Sequence, residues 1–464
     1  MTSSPGRLLM VRRERTPVFR RAVELEPAST PTPTACGSHR VRRQHPDRGP
    51  GTASPSAGPR LPEDRIRASA GTARTPCVAD LHPVSLRIAE RKKPMPVNTS
   101  EVSPVPSLFS PVSLGKIELA NRIVMAPLTR VRAGSSGIPG DLMVEYYRQR
   151  ASVGMIITEG TYPDHASQGY VGEPGIATDE QAVGWQRVFE AVHAEGGRIV
   201  LQIMHAGRGT HPDINGGRRI LAPSAIAIDN KTFTEKGEQP YPVPEAMTTA
   251  EIRAALEDFV AAARRAIEAG ADGVEIHGAN GYLLQEFLSP AANQRTDGYG
   301  GSPQNRARFV VEVVTAVAQA VGAERVGLRI SPEVDLGDVF ETDRDDVLAT
   351  YGTLLDQLRP LGLAYLSVLH TEPGGDLVQE LRRRFDGKLI VNNGPFGGQT
   401  TREQALQQIE AGHADAVVVG RALIANPDLV ERWQGGHPEN EPRPELFYGP
   451  GAEGYTDYPF LETA

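Results

Sequence analysis

Three polar side chains follow one apolar run between residues 273 and 282. The stretch Gly273-Val274-Glu275-Ile276 reads as a β-strand and ends on His277, with Asn280 three residues on and Tyr282 five residues on. Gly278 and Gly281 stand between them, so the backbone can turn there without a Cβ in the way. An imidazole and a carboxamide are two donors that can hold one oxygen, and a nearby phenol can deliver a proton. The set suits a reaction in which negative charge develops on an oxygen while a neighbouring atom is protonated. Singly, each residue has a plainer explanation. A strand-end histidine is more often a structural hydrogen-bonding group, and a tyrosine beside an apolar run is usually packing. The chemical reading therefore depends on what else arrives at the same place.

The elements that position these residues repeat. Strand patterns fall at 123–127, 155–159, 198–205, 273–277, 326–331, 364–369, 388–392 and 416–419, and each is followed by a helical pattern. The helices are expected at 141–153, 180–195, 249–269, 303–320, 344–358, 374–384, 401–411 and 422–434. Thr248 with Glu251 forms a capping box, Ile252, Leu256, Phe259, Val260, Ala263 and Ile267 share one face, and Gly270 ends that helix. Eight strand–helix units predict an α/β fold, a (β/α)8 TIM barrel, whose active site lies at the C-terminal ends of the strands. An open doubly wound sheet is disfavoured, since no G-x-G-x-x-G follows the first strand. The loop from about 206 to 247 is long and rich in Gly, Pro, Asn and Asp, as lids and substrate-binding elements often are.

The other strand ends carry matching chemistry. Strand one runs into Ala126-Pro127-Leu128-Thr129, strand three carries Gln202 and His205, and strand five carries Arg329. Strand seven runs into Asn393-Gly394-Pro395, and strand eight into Gly420-Arg421. Glycine turns after strands seven and eight commonly hold a phosphate on backbone N–H groups, and Arg421 adds a charged fork. An amide, a hydroxyl and a guanidinium on neighbouring strand ends suit a heteroaromatic edge of carbonyl and N–H groups, such as a phosphate-bearing flavin. Arg329 could instead be an ion-pair partner inside the barrel, and Gly420 only a tight turn. Separate plain explanations become improbable when all of these residues fall at one rim.

Composition bounds the alternatives. Of 49 Lys and Arg and 57 Asp and Glu in 464 residues, the first 95 hold 18 and 8, leaving an acidic remainder of 31 and 49. Residues 1–97 are Arg- and Pro-rich, poor in apolar runs, and expected to be disordered. Met95 is a candidate natural start, which would place the preceding segment outside the native protein. Residues 98–464 form the expected barrel domain. Both cysteines, Cys36 and Cys77, precede it, which removes disulfides, iron–sulfur clusters, thiolate zinc sites and a cysteine nucleophile from the barrel, and no metal site is expected. No apolar run reaches membrane-spanning length, and an acidic body offers no footprint for nucleic acid.

The chain resembles the old yellow enzyme family of FMN-dependent ene-reductases from about Leu108 to Leu461. The resemblance is carried by Leu119-Ala120-Asn121-Arg122-Ile123-Val124-Met125-Ala126-Pro127-Leu128-Thr129-Arg130, by Ile156-Ile157-Thr158-Glu159-Gly160 and by Glu275-Ile276-His277-Gly278-Ala279-Asn280-Gly281-Tyr282. It continues in Asn293-Gln294-Arg295-Thr296-Asp297-Gly298-Tyr299-Gly300-Gly301-Ser302, in Asn305-Arg306-Ala307-Arg308-Phe309, in the run Gly420 to Leu429, and in the tail Gly454-Tyr455-Thr456-Asp457-Tyr458-Pro459. It implies bound FMN, reduced by NADPH or NADH, and an enone substrate. By the same resemblance His277 and Asn280 hold the substrate oxygen and Tyr282 supplies the proton. Thr129 tunes the flavin, and Gln202 and Arg329 hold its pyrimidine edge. Ala126, Pro127, Leu128 and Gly160 contact it, largely through the backbone. Gly394, Gly420 and Arg421 bind its phosphate, and Phe447 and Tyr448 line the substrate pocket.

Two positions depart from the family pattern. Met204 stands where many relatives carry tryptophan, which alters the expected pocket wall, unless the side chain faces the core. Pro395 stands where a backbone N–H often meets the phosphate, and proline has none. A nitro compound or nitrate ester is the alternative substrate on the same donors. A flavin-binding barrel without turnover is a further alternative, disfavoured by the intact His277, Asn280 and Tyr282. A barrel isomerase acting on a sugar phosphate is disfavoured by Arg329, Gln202 and Thr129. The absence of cysteine after Cys77 argues strongly against the iron–sulfur dienoyl-CoA reductase relatives. The expected protein is cytoplasmic, a monomer or homodimer, with small-molecule partners and neither nucleic acid nor membrane among them.

Overall fold

The computed structural model describes residues 106–394 and 398–462. The expectations about the 1–97 extension and about Pro395 lie outside the described residues. Eight parallel strands close into a barrel: β1 (Ile123–Met125), β2 (Met155–Ile157), β3 (Ile199–Ile203), β4 (Gly273–Gly278), β5 (Val326–Ile330), β6 (Tyr365–His370), β7 (Leu389–Asn393) and β8 (Ala416–Val419). Closure is made by β8 against β1, with Val417 opposite Ile123 and Val419 opposite Met125. All eight predicted strands are present, within a few residues at each end.

Alternation along the strands sorts the side chains. Leu201, Ile203, Val274, Ile276, Leu328 and Ile330 point outward and pack with the helices. Val124, Met155, Ile157, Val200, Ile390 and Val418 point inward. Val124, Ile157, Val200 and Ile390 are fully buried, and each such side chain contributes about 1.5–3 kcal/mol by leaving water. They meet a β-hairpin, Val112–Leu114 with Ile117–Leu119, that plugs the N-terminal end of the barrel. Its turn at Gly115 lies so near Ala364 and the Glu324 carbonyl that a Cβ would collide. The floor is therefore apolar and sealed, and the polar inward residues are confined to the other end.

The helix from Thr249 to Glu268 begins with the expected capping box, in which the Thr248 hydroxyl accepts from the Glu251 N–H and the Glu251 carboxylate accepts from the Thr248 N–H. Its end is followed by Gly270 at φ +108°. The helix expected over 422–434 is instead two, Arg421–Ala425 and Leu429–Gly435. Pro427 between them has no N–H to continue the ladder, and the Asn426 amide turns back onto the Ala422 carbonyl at 2.8 Å. The long loop after β3 carries a short parallel pair, Leu221–Ala222 with Glu245–Ala246, and a hairpin, Lys231–Thr234 with Gly237–Pro240. No helix among the described residues is long and apolar enough to cross a membrane.

Candidate active site

His277 leaves β4 on its inward face, opposite Arg329 of β5. Its Nδ1 accepts the Ala279 N–H at 3.3 Å, which leaves Nε2 carrying the proton in the neutral ring. Burial, reinforced by the Arg329 charge, pushes the imidazole well below its ordinary pKa. His277 is thus a neutral, oriented donor rather than an acid. Asn280 and Gly281 both adopt positive φ, +57° and +79°, and turn the chain so that the Asn280 amide sits at the strand end. That turn is held by the Asn280 N–H on Ser331 Oγ and the Gly281 N–H on Gln285 Oε1, both at 2.8 Å. The Asn280 side-chain oxygen is buried with no partner, so this amide is not spent on the protein.

Tyr282 packs edge-on against the His277 ring, centroids 5.1 Å apart, so the phenol adjoins the imidazole as the spacing suggested. Burial raises its pKa, as do neighbouring Glu173, Tyr241 and Tyr448 against an opposing hydrogen bond from Tyr170. It stays protonated at any working pH. The Tyr170 and Tyr282 hydroxyls share a 2.5 Å hydrogen bond. Tyr448, at the C-terminal rim, is about one-third exposed.

Below this group the barrel interior is polar. Gln202 donates to Glu275 at 2.7 Å, and Arg329 donates to Ser367 and Asn392, both at 3.3 Å. Burial raises the Glu275 carboxyl, with Arg329 opposing it. Arg329 Nε and Glu275 Oε2 are buried without partners. A guanidinium N–H and two amide groups with capacity to spare, stacked at one barrel end, match a ring edge of carbonyls and N–H groups. FMN fits this donor set.

The remaining candidates surround that interior. Pro127, Leu128 and Thr129 are half-buried, and Ala126 is buried. Gly420 lies beside them, since a Cβ there would come within 3.6 Å of Leu128 and 3.8 Å of Ala126. Gly394 has φ +92°, with no atom of the described residues within 4 Å of where a Cβ would lie, and Arg421, exposed, opens the short helix after β8. Met204 follows Gln202 on the inward face and packs on Gly160, whose Cα leaves no room for a Cβ beside the Met204 sulfur. Met204 is thus a wall of this interior, not part of the outer core. Phe447 packs with Ile424, Ala425, Tyr458 and Leu128, so it backs the β1 loop, and Tyr448 is the member of that pair near Tyr282. His205 faces away from the group: its ring stacks on Phe259 of the outer helix layer.

Several supporting residues are given no role by the sequence reading. Glu159 accepts the backbone N–H groups of Arg130 and Val131 at 2.9 and 3.1 Å and so fixes the loop bearing Pro127 to Thr129. Arg130 is buried and donates to the carbonyls of Phe447 and Gly454, while Arg132 reaches those of Phe447 and Leu446. Tyr170 and Tyr241 arrive from loops far from β4. Neither tyrosine lies near a predicted strand end, so no local cue would have flagged them.

The chain is similar to several known proteins. Residues 107–440 match the NADH:flavin oxidoreductase / NADH oxidase family. A probable flavin mononucleotide-dependent alkene reductase from Leishmania infantum is 44% identical over 363 residues, covering 76% of this chain and 97% of that protein. The 12-oxophytodienoate reductase 7 of Oryza sativa subsp. japonica is 39% identical, covering 76% and 94%. Among solved structures, morphinone reductase superposes with a TM-score of 0.72 at 44% identity, covering 77% of this chain and 97% of that one. The old yellow enzyme homologue from Zymomonas mobilis gives 0.72 at 37%, covering 77% and 100%.

Proposed function

Because the chain belongs to the NADH:flavin oxidoreductase / NADH oxidase family, we propose that it reduces activated C=C bonds of α,β-unsaturated carbonyl compounds with bound FMN and NADPH or NADH. One observation carries the assignment of roles: the neutral His277 donor and the unpaired Asn280 amide lie at one strand end with the protonated Tyr282 phenol against them. When bound, FMN supplies the hydride to the β-carbon. His277 Nε2–H and the Asn280 amide N–H hold the carbonyl oxygen and stabilise the charge that develops on it. Tyr282 O–H delivers a proton to the α-carbon. Its Tyr170 partner keeps the hydroxyl oriented.

Arg329 and Gln202 would hold the pyrimidine edge, with Thr129, Gly160 and the backbone from Ala126 to Leu128 along the ring. Gly394, Gly420 and Arg421 would receive the phosphate. Met204 and Tyr448 bound the substrate side. The relatives named above act, by name, on alkenes, oxophytodienoate and morphinone, which places C=C reduction ahead of nitro reduction on the same donors. A cytoplasmic location and a monomeric or homodimeric state belong to the same reading.

The purified protein is expected to be yellow, to bleach with NADPH without oxygen, and to regain its colour on addition of cyclohexenone. A colourless protein that takes up no FMN overturns the proposal.

A further inference from the structure

The turn that aims Asn280 is held from behind by a continuous buried chain of hydrogen bonds. Asn280 sits in the left-handed region, which costs a non-glycine residue about 1–3 kcal/mol unless its surroundings impose it. Three groups impose it. Ser331 Oγ accepts the Asn280 N–H and donates in turn to Gln285 Oε1 at 3.2 Å. Gln285 Oε1 also accepts the Gly281 N–H. Gln285 Nε2 donates to the Ser331 carbonyl at 3.0 Å and to the Tyr351 hydroxyl at 3.1 Å. All four hydrogen-bonding positions of this amide are therefore filled, and only one orientation fills them. The Tyr351 hydroxyl passes the chain on to Glu341 Oε1 at 2.9 Å. Gln285, Ser331 and Tyr351 are buried to within 2%. On its other side the turn is pinned by loop backbone, since a Cβ on Gly281 would collide with the Leu336 carbonyl oxygen.

We propose that Gln285 is a positioning residue for enone reduction: through Ser331 and Gly281 it fixes the backbone that aims the Asn280 amide, and through Tyr351 it ties that aim to the charge on Glu341. This rests on the role given to Asn280 above. A glutamine that merely satisfied buried polar groups would stabilise the fold without affecting one substrate step more than another.

Glu341 ends the chain as an acceptor. Burial pushes its carboxyl up to about 7, against opposing hydrogen bonds from Tyr351, the Glu333 backbone and Gln285, with the Glu333 charge adding to the rise. Glu333 itself faces Arg344 and His370. The Tyr351 proton points to Glu341 while Glu341 is ionised. Once Glu341 is protonated it competes as a donor for the same phenol oxygen. The aim of Asn280 is thus set above pH 7 and loosened below it.

The test uses FMN-loaded protein, reduced with dithionite and mixed anaerobically with cyclohexenone, with reoxidation by oxygen as the control step that needs no oxygen clamp. Gln285→Leu is expected to slow the enone step about 10²-fold, the loss a displacement of order 1 Å brings, and to leave the oxygen step unchanged. In an Asn280→Ala background the same substitution is expected to have no further effect, because what it positions is gone. Equal slowing in both backgrounds, or equal slowing of both steps, overturns the proposal. If Asn280→Ala alone is as fast as wild type, it is the role of Asn280 that falls. Should Gln285→Leu not retain flavin, Tyr351→Phe decides. It is expected to abolish an inflection near pH 7 in the wild-type enone step, and an inflection that persists, or is absent from the wild type, overturns the link to Glu341.

Discussion

Removal of the oxygen clamp offers the most quantitative test of the proposed roles. A preorganised donor on a developing oxyanion contributes about 2.7–4 kcal/mol, or 10²–10³ in rate. Whether two donors add depends on whether they are held independently. His277 is fixed by β4 and by the Ala279 N–H on Nδ1, whereas the Asn280 turn is fixed by Ser331 and Gln285. Truncating one therefore leaves the other aimed. His277→Ala and Asn280→Ala are each expected to slow the enone step 10²–10³-fold, and the double variant at least about 10⁴-fold, near additivity. Flavin content should not change, because Arg329, Gln202 and the β1 loop are untouched. Anaerobic stopped-flow of the reduced protein with cyclohexenone measures this directly. A double variant within tenfold of wild type refutes the oxygen clamp. A double variant no slower than either single variant refutes the independent anchoring. Since burial and Arg329 keep His277 neutral, the Tyr351→Phe variant, which lacks the Glu341 inflection, should show no titration in its enone step between pH 6 and 8.

Two further outcomes follow from buried groups. Tyr282→Phe removes the phenol but keeps the ring that packs on His277; turnover is expected to fall about 10²–10⁴-fold, the range for one proton-transferring group, with flavin reduction by NADPH preserved. Steady-state enone kinetics beside the bleaching rate check it, and unaltered turnover assigns the proton to another donor. Glu286 is buried, accepts the Arg208 N–H at 2.8 Å, and is pushed up to about 8 by burial, from an ordinary 4.5. The folded protein therefore keeps a proton that the unfolded chain releases, so this residue's stability contribution is full below pH 4.5 and is lost as pH rises toward 8. Glu286→Gln keeps the accepting oxygen without the charge and is expected to be about 1–3 kcal/mol more stable than wild type at pH 8.5, with no advantage at pH 4.5. Urea denaturation at both pH values measures the difference; parallel pH dependences in the two proteins refute it.

The barrel was legible because each strand is a short apolar run bounded by turn residues, and each helix has a stripe and a cap. The His277, Asn280 and Tyr282 group was legible because one strand end carries all three. What sequence could not show was lateral neighbourhood. Tyr170 meets Tyr282 across 112 positions, and nothing local distinguishes it from a loop tyrosine. Gln285 lies in an apolar run that the structure folds as a short helix, Leu283–Leu288, and only the fold reveals that all its hydrogen-bonding positions are filled. The hairpin at 112–119 had a readable pattern, alternating apolar residues about a Gly-Lys turn, but no strand–helix repeat drew attention to it. The missed break at Pro427 is the reverse case, a local rule outweighed in the reading by the expectation of one helix per strand.

The two arginines of the β1 loop impose an order on maturation. Arg130 is made early, yet its carbonyl acceptors at Phe447 and Gly454 lie 317 and 324 positions later. Without those carbonyls the guanidinium keeps the Tyr146 hydroxyl as a nearby partner, but the loop carrying Pro127 to Thr129 lacks its C-terminal backing. A chain halted before residue 446 would possess every strand and every proposed flavin-holding residue, but an unfinished rim. Docking of the 446–454 segment is what completes the backing of that loop. Barrel closure rests on contacts nearly as distant, with Arg122 donating to the Asp415 carbonyl 293 positions on, so the C-terminal part of the chain supplies both the closing strand and the rim.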